Sequence, residues 1–212
     1  MRDIDTKAVS LGLSIYLMME NAGNSLARYM LQGLGFDLSR KKIVTVCGLS
    51  NNSGGGIASA RHLEYYGADV TVVLLGTPEK IKTPDAKLQW RTIANMNSIS
   101  KICVSNDKEM RKAEKEITIA DGVIDAIFGT GFSGKKIGEP ASRTIDCINA
   151  SNAYIVSNDI PSGIDADTGN FTDKAVSPDV TVVLHSMKAG IRKIDGRSIV
   201  VSIGIPLDAE EE

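Results

Sequence analysis

Three stretches of this 212-residue chain end a hydrophobic run in side chains able to handle protons, phosphates or a cation. The richest is Val156-Ser157-Asn158-Asp159-Ile160-Pro161-Ser162-Gly163, continuing to Gly169. Asp159 leaves the β-branched run Tyr154–Ser157 at its carboxyl end, where ligands sit in open α/β sheets, and Pro161-Ser162-Gly163 turns the backbone sharply beyond it. A turn that is merely rich in Asp and Gly is the plainer alternative. In the second stretch the buried-strand pattern Lys42–Cys47 runs into Gly48-Leu49-Ser50-Asn51-Asn52-Ser53-Gly54-Gly55-Gly56, and the following residues have helical spacing. A glycine-rich loop feeding a helix N-terminus offers free N–H groups and the positive end of the helix dipole to a phosphate. The third is Gly122–Phe128, followed by Gly129-Thr130-Gly131-Phe132-Ser133-Gly134-Lys135. Its anomaly is Asp125: a carboxylate inside an apolar strand needs a cation, a donor or an exposed strand end to offset desolvation.

These stretches need a frame that brings them together. Strand-like runs near 42–47, 69–75, 100–104, 122–128, 153–157, 179–184 and 198–203 alternate with helical patterns near 15–31, 55–66, 84–95, 108–118 and 138–150. The alternation predicts a three-layer α/β/α sandwich, Rossmann-like, with a mostly parallel sheet. Loops at the carboxyl ends of its strands gather on one edge, so the three stretches should share that edge. One domain over residues 1–212 is expected, with no internal repeat or long linker. Ahead of the first strand, Asp5 is a candidate helix cap, and Leu17, Met18, Met19, Leu26, Tyr29 and Met30 form an apolar face. That helix covers the sheet in the simplest reading; Glu20 and Asn21 could instead brace a pocket or a dimer contact. The acidic tail Asp208–Glu212 is expected to fray.

Composition removes several functions. Formal net charge is −2, which gives no basis for general polyanion binding and makes nucleic acid a poor main partner. Cys47, Cys103 and Cys147 are odd in number and lie mostly in apolar runs, as expected of reduced thiols in a cytoplasm. There is no zinc-type spacing and no apolar run approaching the ~20 residues that span a bilayer. An ordinary dinucleotide dehydrogenase is a poor fit, because no G-x-G-x-x-G follows a strand with an acidic residue at the expected distance.

Taken together, the three stretches resemble the YjeF N-terminal domain family, whose characterised members are NAD(P)HX epimerases. Leu17-Met18-Met19-Glu20-Asn21-Ala22-Gly23 looks like the family's LMENAG helix, and Asp179–Gly190 like its strand ending in a lysine and glycine. The first loop departs from the family: CGxGNNGGDG is usual there and CGLSNNSGGG stands here, so Ser50 and Ser53 replace glycines and Gly55 replaces an aspartate. Asn158 stands where the family mostly carries an apolar residue. Were Ser53 to need a positive φ, its Cβ would cost on the order of 1 kcal/mol.

The resemblance implies a repair reaction. Damaged NADH and NADPH take up water at C6 of the nicotinamide ring, and a separate ATP- or ADP-dependent dehydratase, the implied pathway partner, removes it only from the S form. The epimerase interconverts R and S hydrates, which needs an acid for the departing hydroxyl and a base for the returning water. By carry-over Asp159 takes that role, with Lys188 as a second candidate, either tuning Asp159 or touching the ligand; substituting Asp159 would then end turnover with little loss of stability. Contacts to the dinucleotide carry over to Asn51, Asn52, Ser53, Gly54 and Gly55, to Gly129, Thr130, Gly131, Phe132, Ser133, Gly134 and Lys135, and to Asp159. A potassium ion carries over to Asn52, Asp125 and Ser162, each of which offers an oxygen. The family also suggests a homodimer. The alternative is a non-catalytic module that binds a nucleotide-like ligand or a protein; Ser53 and Gly55 favour it, whereas the intact Asp159, Asp125, Asn52 and Ser162 favour the enzyme.

Overall fold

The computed structural model describes residues 2–133, 136–171 and 173–210; Gly134 and Lys135, expected among the ligand contacts, lie outside the described residues. The elements run α1 (Arg2–Ser10), α2 (Ile15–Gly33), β1 (Lys42–Cys47), α3 (Asn51–Tyr65), β2 (Asp69–Leu74), α4 (Pro84–Ala94) and β3 (Ile99–Cys103). They continue as α5 (Asp107–Thr118), β4 (Gly122–Ala126), α6 (Ala141–Ala150), β5 (Tyr154–Asn158), β6 (Val180–Leu184) and β7 (Ser198–Val201).

All seven strands pair in parallel, in the order β3-β2-β1-β4-β5-β6-β7. A parallel sheet covered on both faces calls for near-continuous apolar strands, and after Lys42 every residue of β1 is buried. One face packs Leu26 and Met30 of α2, Ile57 and Leu63 of α3 and Trp90 of α4 against the strands. Opposite, Met110, Ala113 and Ile117 of α5 and Ile145 and Ile148 of α6 cover the other face. Among the described residues the connection from β5 to β6 carries no helix, and Ile160, Ile164 and Ala166 from it cluster with Val183 and Ile191 instead.

Several local expectations change. Asp5 sits inside α1, not at the start of α2, whose cap is Ser14 with its side chain accepting from the Leu17 amide at 3.3 Å. Leu17 is 48% exposed, while Met18, Met19, Leu26 and Met30 are buried as expected. The glycine-rich run is mostly helix, since α3 begins at Asn51. Three glycines weaken a helix intrinsically, but close approach requires them here. A Cβ on Gly54 would lie 2.2 Å from the Met19 sulfur, and one on Gly56 would lie 2.5 Å from Cβ of Ala126 in β4. Ser53 therefore sits in helical backbone with no positive φ, and no strain arises there. The tail is held at least to Ala209, which is fully buried against the α1 and α2 side of the molecule.

Candidate active site

Strand order reverses direction between β1 and β4: from β1 the chain builds outward to β2 and β3, then returns to β4 on the other side. Open α/β sheets bind ligands at such a switch point, beyond the carboxyl ends of the strands. A cleft of about 540 Å³ lies there, walled by Met18, Met19 and Ala22 of α2, by Ser50, Asn51, Asn52 and Gly55 at the start of α3, and by Phe128–Phe132 after β4. Asn158 and Asp159 close it at the end of β5, Lys82 and Thr83 stand before α4, and Asp5 reaches it from α1. The rings of Phe128 and Phe132 stack at 5.0 Å, giving the cleft a flat apolar wall.

Asp159 follows β5 directly and adopts a φ of 68°. A non-glycine residue is held in the left-handed region only when its surroundings over-determine it, and such residues cluster at functional sites. The restraints are visible. The Asp159 amide donates to the Val182 carbonyl at 2.8 Å, and its Oδ1 accepts from the Leu184 amide at 3.0 Å. The Lys188 ammonium closes an ion pair on the same oxygen and donates to the Leu184 carbonyl at 2.6 Å. Both charged residues are only 7% exposed, so each depends on the other to offset desolvation. Of the two roles expected for Lys188 the geometry favours tuning Asp159: it does not line the cleft but stands behind Asp159 and orients it.

The three residues singled out for a cation meet beneath the Phe128 wall. Asp125 is fully buried and in register with Ser157. Its Oδ2 accepts from the Ser157 hydroxyl and the Ser162 amide, each at 2.8 Å, and its Oδ1 from the Ile127 amide at 3.3 Å. The Ser162 hydroxyl donates to Oδ1 and accepts from the Phe128 amide at 2.9 Å. Asn52 joins from α3, its amide nitrogen donating to the Phe128 carbonyl at 2.7 Å. Burial outweighs these donors and pushes the Asp125 carboxyl above the usual carboxylate range. Among the described residues no group of three or more His, Cys, Asp or Glu side chains could hold a metal. One carboxylate with hydroxyl, amide and carbonyl oxygens suits a hard, weakly charged cation instead, so the donor set fits the potassium ion that the resemblance implies.

Of the remaining expected ligand contacts, Asn51, Asn52, Gly55 and Gly129–Phe132 line the cleft. Ser53, Gly54 and Ser133 are not among its lining residues; the first two are buried, Ser53 with its amide on the Ser50 carbonyl at 3.1 Å, Gly54 under Met19. Glu20 and Asn21 brace the scaffold. Glu20 accepts from the Gln89 amide at 2.8 Å and pairs with Arg61, while the Asn21 amide donates to the Ile203 carbonyl at 2.8 Å. The sequence reading missed Asp5 as a cleft residue, and nothing in its local pattern marked it.

Gly55 and Asn158, two departures from the family pattern, are neighbours. A Cβ on Gly55 would lie 3.0 Å from Asn158 Nδ2 and 3.3 Å from Cβ of Ala22. Asn158 is 1% exposed and donates to Asn52 at its carbonyl, 3.0 Å, and side-chain oxygen, 3.1 Å. Gly55 thus gives Asn158 its space. Gly55→Asp alone should cost about 1–3 kcal/mol by overpacking. Combined with Asn158→Ala it should recover much of that, with a coupling on the order of 1 kcal/mol in a denaturant double-mutant cycle. Strictly additive effects would mean that the two positions do not share the space.

A parallel α/β sheet with a ligand-sized cleft at its switch point, a buried Asp–Lys pair on the rim and an oxygen cluster below defines a small-molecule-binding protein of the Rossmann-like class. The chain belongs to the family described as YjeF-related protein N-terminus, whose model matches residues 16–190. It is 37% identical, over its full length and 95% of the relative's, to a protein of Nitrosopumilus maritimus (strain SCM1) named NAD(P)H-hydrate epimerase. It is 38% identical to the protein named bifunctional NAD(P)H-hydrate repair enzyme Nnr of Methanothermobacter thermautotrophicus, with 97% of this chain matching 39% of that one. A crystal structure of the yeast protein ynu0 superposes with a TM-score of 0.76 at 23% identity, covering 91% of this chain and 80% of that one, a likeness of fold.

Proposed function

We propose that this protein is an isomerase that interconverts the R and S hydrates of NADH and NADPH at C6 of the nicotinamide ring. The observation that carries the reading is Asp159, strained, buried and clamped by Lys188 on the wall of a cleft at the switch point. The names of the full-length relatives support it. In the hydrate, C6 bears a hydroxyl beside the ring nitrogen. The nitrogen lone pair expels that hydroxyl as water, leaving an iminium, and water returns to the other face. Asp159 exchanges a proton with the water at C6. Lys188 keeps Asp159 oriented. Amides at the start of α3 and the Gly129–Phe132 loop face the diphosphate, and the stacked phenylalanines face a ring. A separate S-specific dehydratase consumes the product; in the bifunctional relatives the name assigns repair to a longer chain. Among the described residues no helix is long and apolar enough to cross a membrane.

Asn52, Asp125 and Ser162, with the Phe128 carbonyl, are the residues that would hold potassium. The ion would supply a fixed positive charge that offsets the buried Asp125 and steadies the three loops. Potassium chloride should therefore raise the melting temperature above that in choline chloride of equal ionic strength. By mass action the gain is about 2.7 kcal/mol at a hundredfold excess over Kd, and Asp125→Asn should remove the difference. Equal melting in the two salts would sink the cation site.

The direct assay supplies R-NADHX with a separate S-specific dehydratase and ATP, adds this protein, and follows recovery of NADH absorbance. Acceleration over the spontaneous rate is the expected result. Folded protein that gives none would point to a binding module with a vestigial site.

A further inference from the structure

Among the described residues, two that line the cleft carry a carboxylate, Asp159 and Asp5. Asp5 is not an incidental surface group. It stands inside α1, and Ala8 three residues on is fully buried among Met18, Ile203, Ile205 and Ala209, which fixes that helix against the cleft margin. Its carboxyl lies within electrostatic reach of His185, Asp159 and Lys188. His185 follows β6 and faces Glu210 at 3.7 Å, so the C-terminal segment closes this side of the site. Asp159 comes from the sheet and Asp5 from the N-terminal helix, so the two carboxylates approach one cavity from different elements.

Inversion at a carbon by loss and return of water asks for two proton transfers, one to the water that leaves and one from the water that returns to the opposite face. A single immobile carboxylate serves one of them. We propose that Asp5 is the second proton-transfer residue of this cleft, acting as the acid at C6 when Asp159 acts as the base. The proposal rests on the epimerase reading above. In one direction the C6–O bond breaks as the nitrogen lone pair forms the C6=N bond, and the hydroxyl leaves as water with the proton of Asp5. A water then forms the new C6–O bond from the other face, the C6=N electrons return to nitrogen, and Asp159 takes the extra proton. Substrate and product are isomers, and one proton has moved from Asp5 to Asp159. Solvent returns it, and the reverse reaction runs with the roles exchanged. The environments suit that division: Lys188 pairs with Asp159, whereas burial foremost, with the Asp159 charge adding to it, lifts the Asp5 carboxyl above its ordinary value against the pull of the N-terminal ammonium, His185 and Lys188.

The test compares wild-type protein, Asp5→Asn and Asp5→Glu in the coupled assay. Asp5→Asn should lower kcat on the order of 100-fold or more with KM little changed, and Asp5→Glu should recover part of the loss. Wild-type kcat/KM should fall as pH rises through the Asp5 titration, under the joint influence of the N-terminal ammonium, Asp159 after β5, His185 after β6 and Lys188 in the next loop; Asp5→Asn should lack that fall. Thermal melting separates chemistry from folding, and if the Asn variant melts early, the Glu variant decides by activity and pH profile. Wild-type kcat in Asp5→Asn, a loss confined to KM, or an unaltered pH profile would overturn the proposal. A wild-type protein that does not interconvert the hydrates would overturn the epimerase reading itself, and this proposal with it, before any variant is made.

Discussion

Asp159→Asn is expected to lower kcat for hydrate interconversion by about 10²–10⁴-fold, the range contributed by a positioned acid or base. The amide keeps the size of the carboxyl and an acceptor for the Leu184 amide, so the loss reports proton transfer more than shape. A second consequence departs from what the sequence suggested. From sequence alone, substituting Asp159 is expected to cost little stability. The Lys188 head group is instead buried against Asp159, and removing one partner of a buried pair leaves an uncompensated charge, costing on the order of 3 kcal/mol. Lys188→Met in the same chain should return much of that stability and none of the activity. Wild-type turnover in Asp159→Asn would move the chemistry off this residue; a melting temperature equal to the parent's would mean that the ion pair contributes little.

Gly163→Ala should be the most damaging small substitution near the site. Gly163 has a φ of 103°, and a Cβ there would lie 2.3 Å from the Lys174 carbonyl oxygen and 2.8 Å from Cα of Ala175, both backbone atoms that no rotamer can move aside. Left-handed strain and overpacking together put the cost on the order of 3 kcal/mol. The displaced segment carries Ser162, whose amide and hydroxyl both hold Asp125 and whose carbonyl accepts from the Val176 amide at 2.9 Å. Potassium-dependent melting should weaken along with stability. Parent-like denaturation would show that the Lys174–Ala175 segment gives way without resistance.

Much of this architecture could be read from residue types, because β-branched runs bounded by glycine, such as Lys42–Cys47, admit few other structures. The helical spacing after Gly56 was equally plain. The start of α3 was not: three consecutive glycines signal a loop by propensity, and only the contacts of Gly54 with Met19 and Gly56 with Ala126, made across the fold, explain why they are helical. Asp125 was conspicuous as a charge in an apolar strand, and Asp159 by its place at a strand end. Asp5 was silent, since the charged groups that face it, Asp159, His185 and Lys188, lie more than 150 positions away in sequence. Lys188 was visible as a residue, but its burial depends on how the segment after β6 folds back, which no local pattern encodes.

Among the described residues, the crossover between β5 and β6 holds no helix. Asp159 and Ser162 both lie in it, anchored by a modest patch around Ile160, Ile164 and Ala166 instead of by a helix docked along the sheet. A segment so supported opens locally more cheaply than the helix layers do, and opening it dismantles proton transfer and cation ligation in one event. Whatever fills the cleft therefore works against that opening. Amide-hydrogen exchange across 159–176 should slow as ligand is added, so that backbone protection there and affinity in the cleft report one free energy at two places.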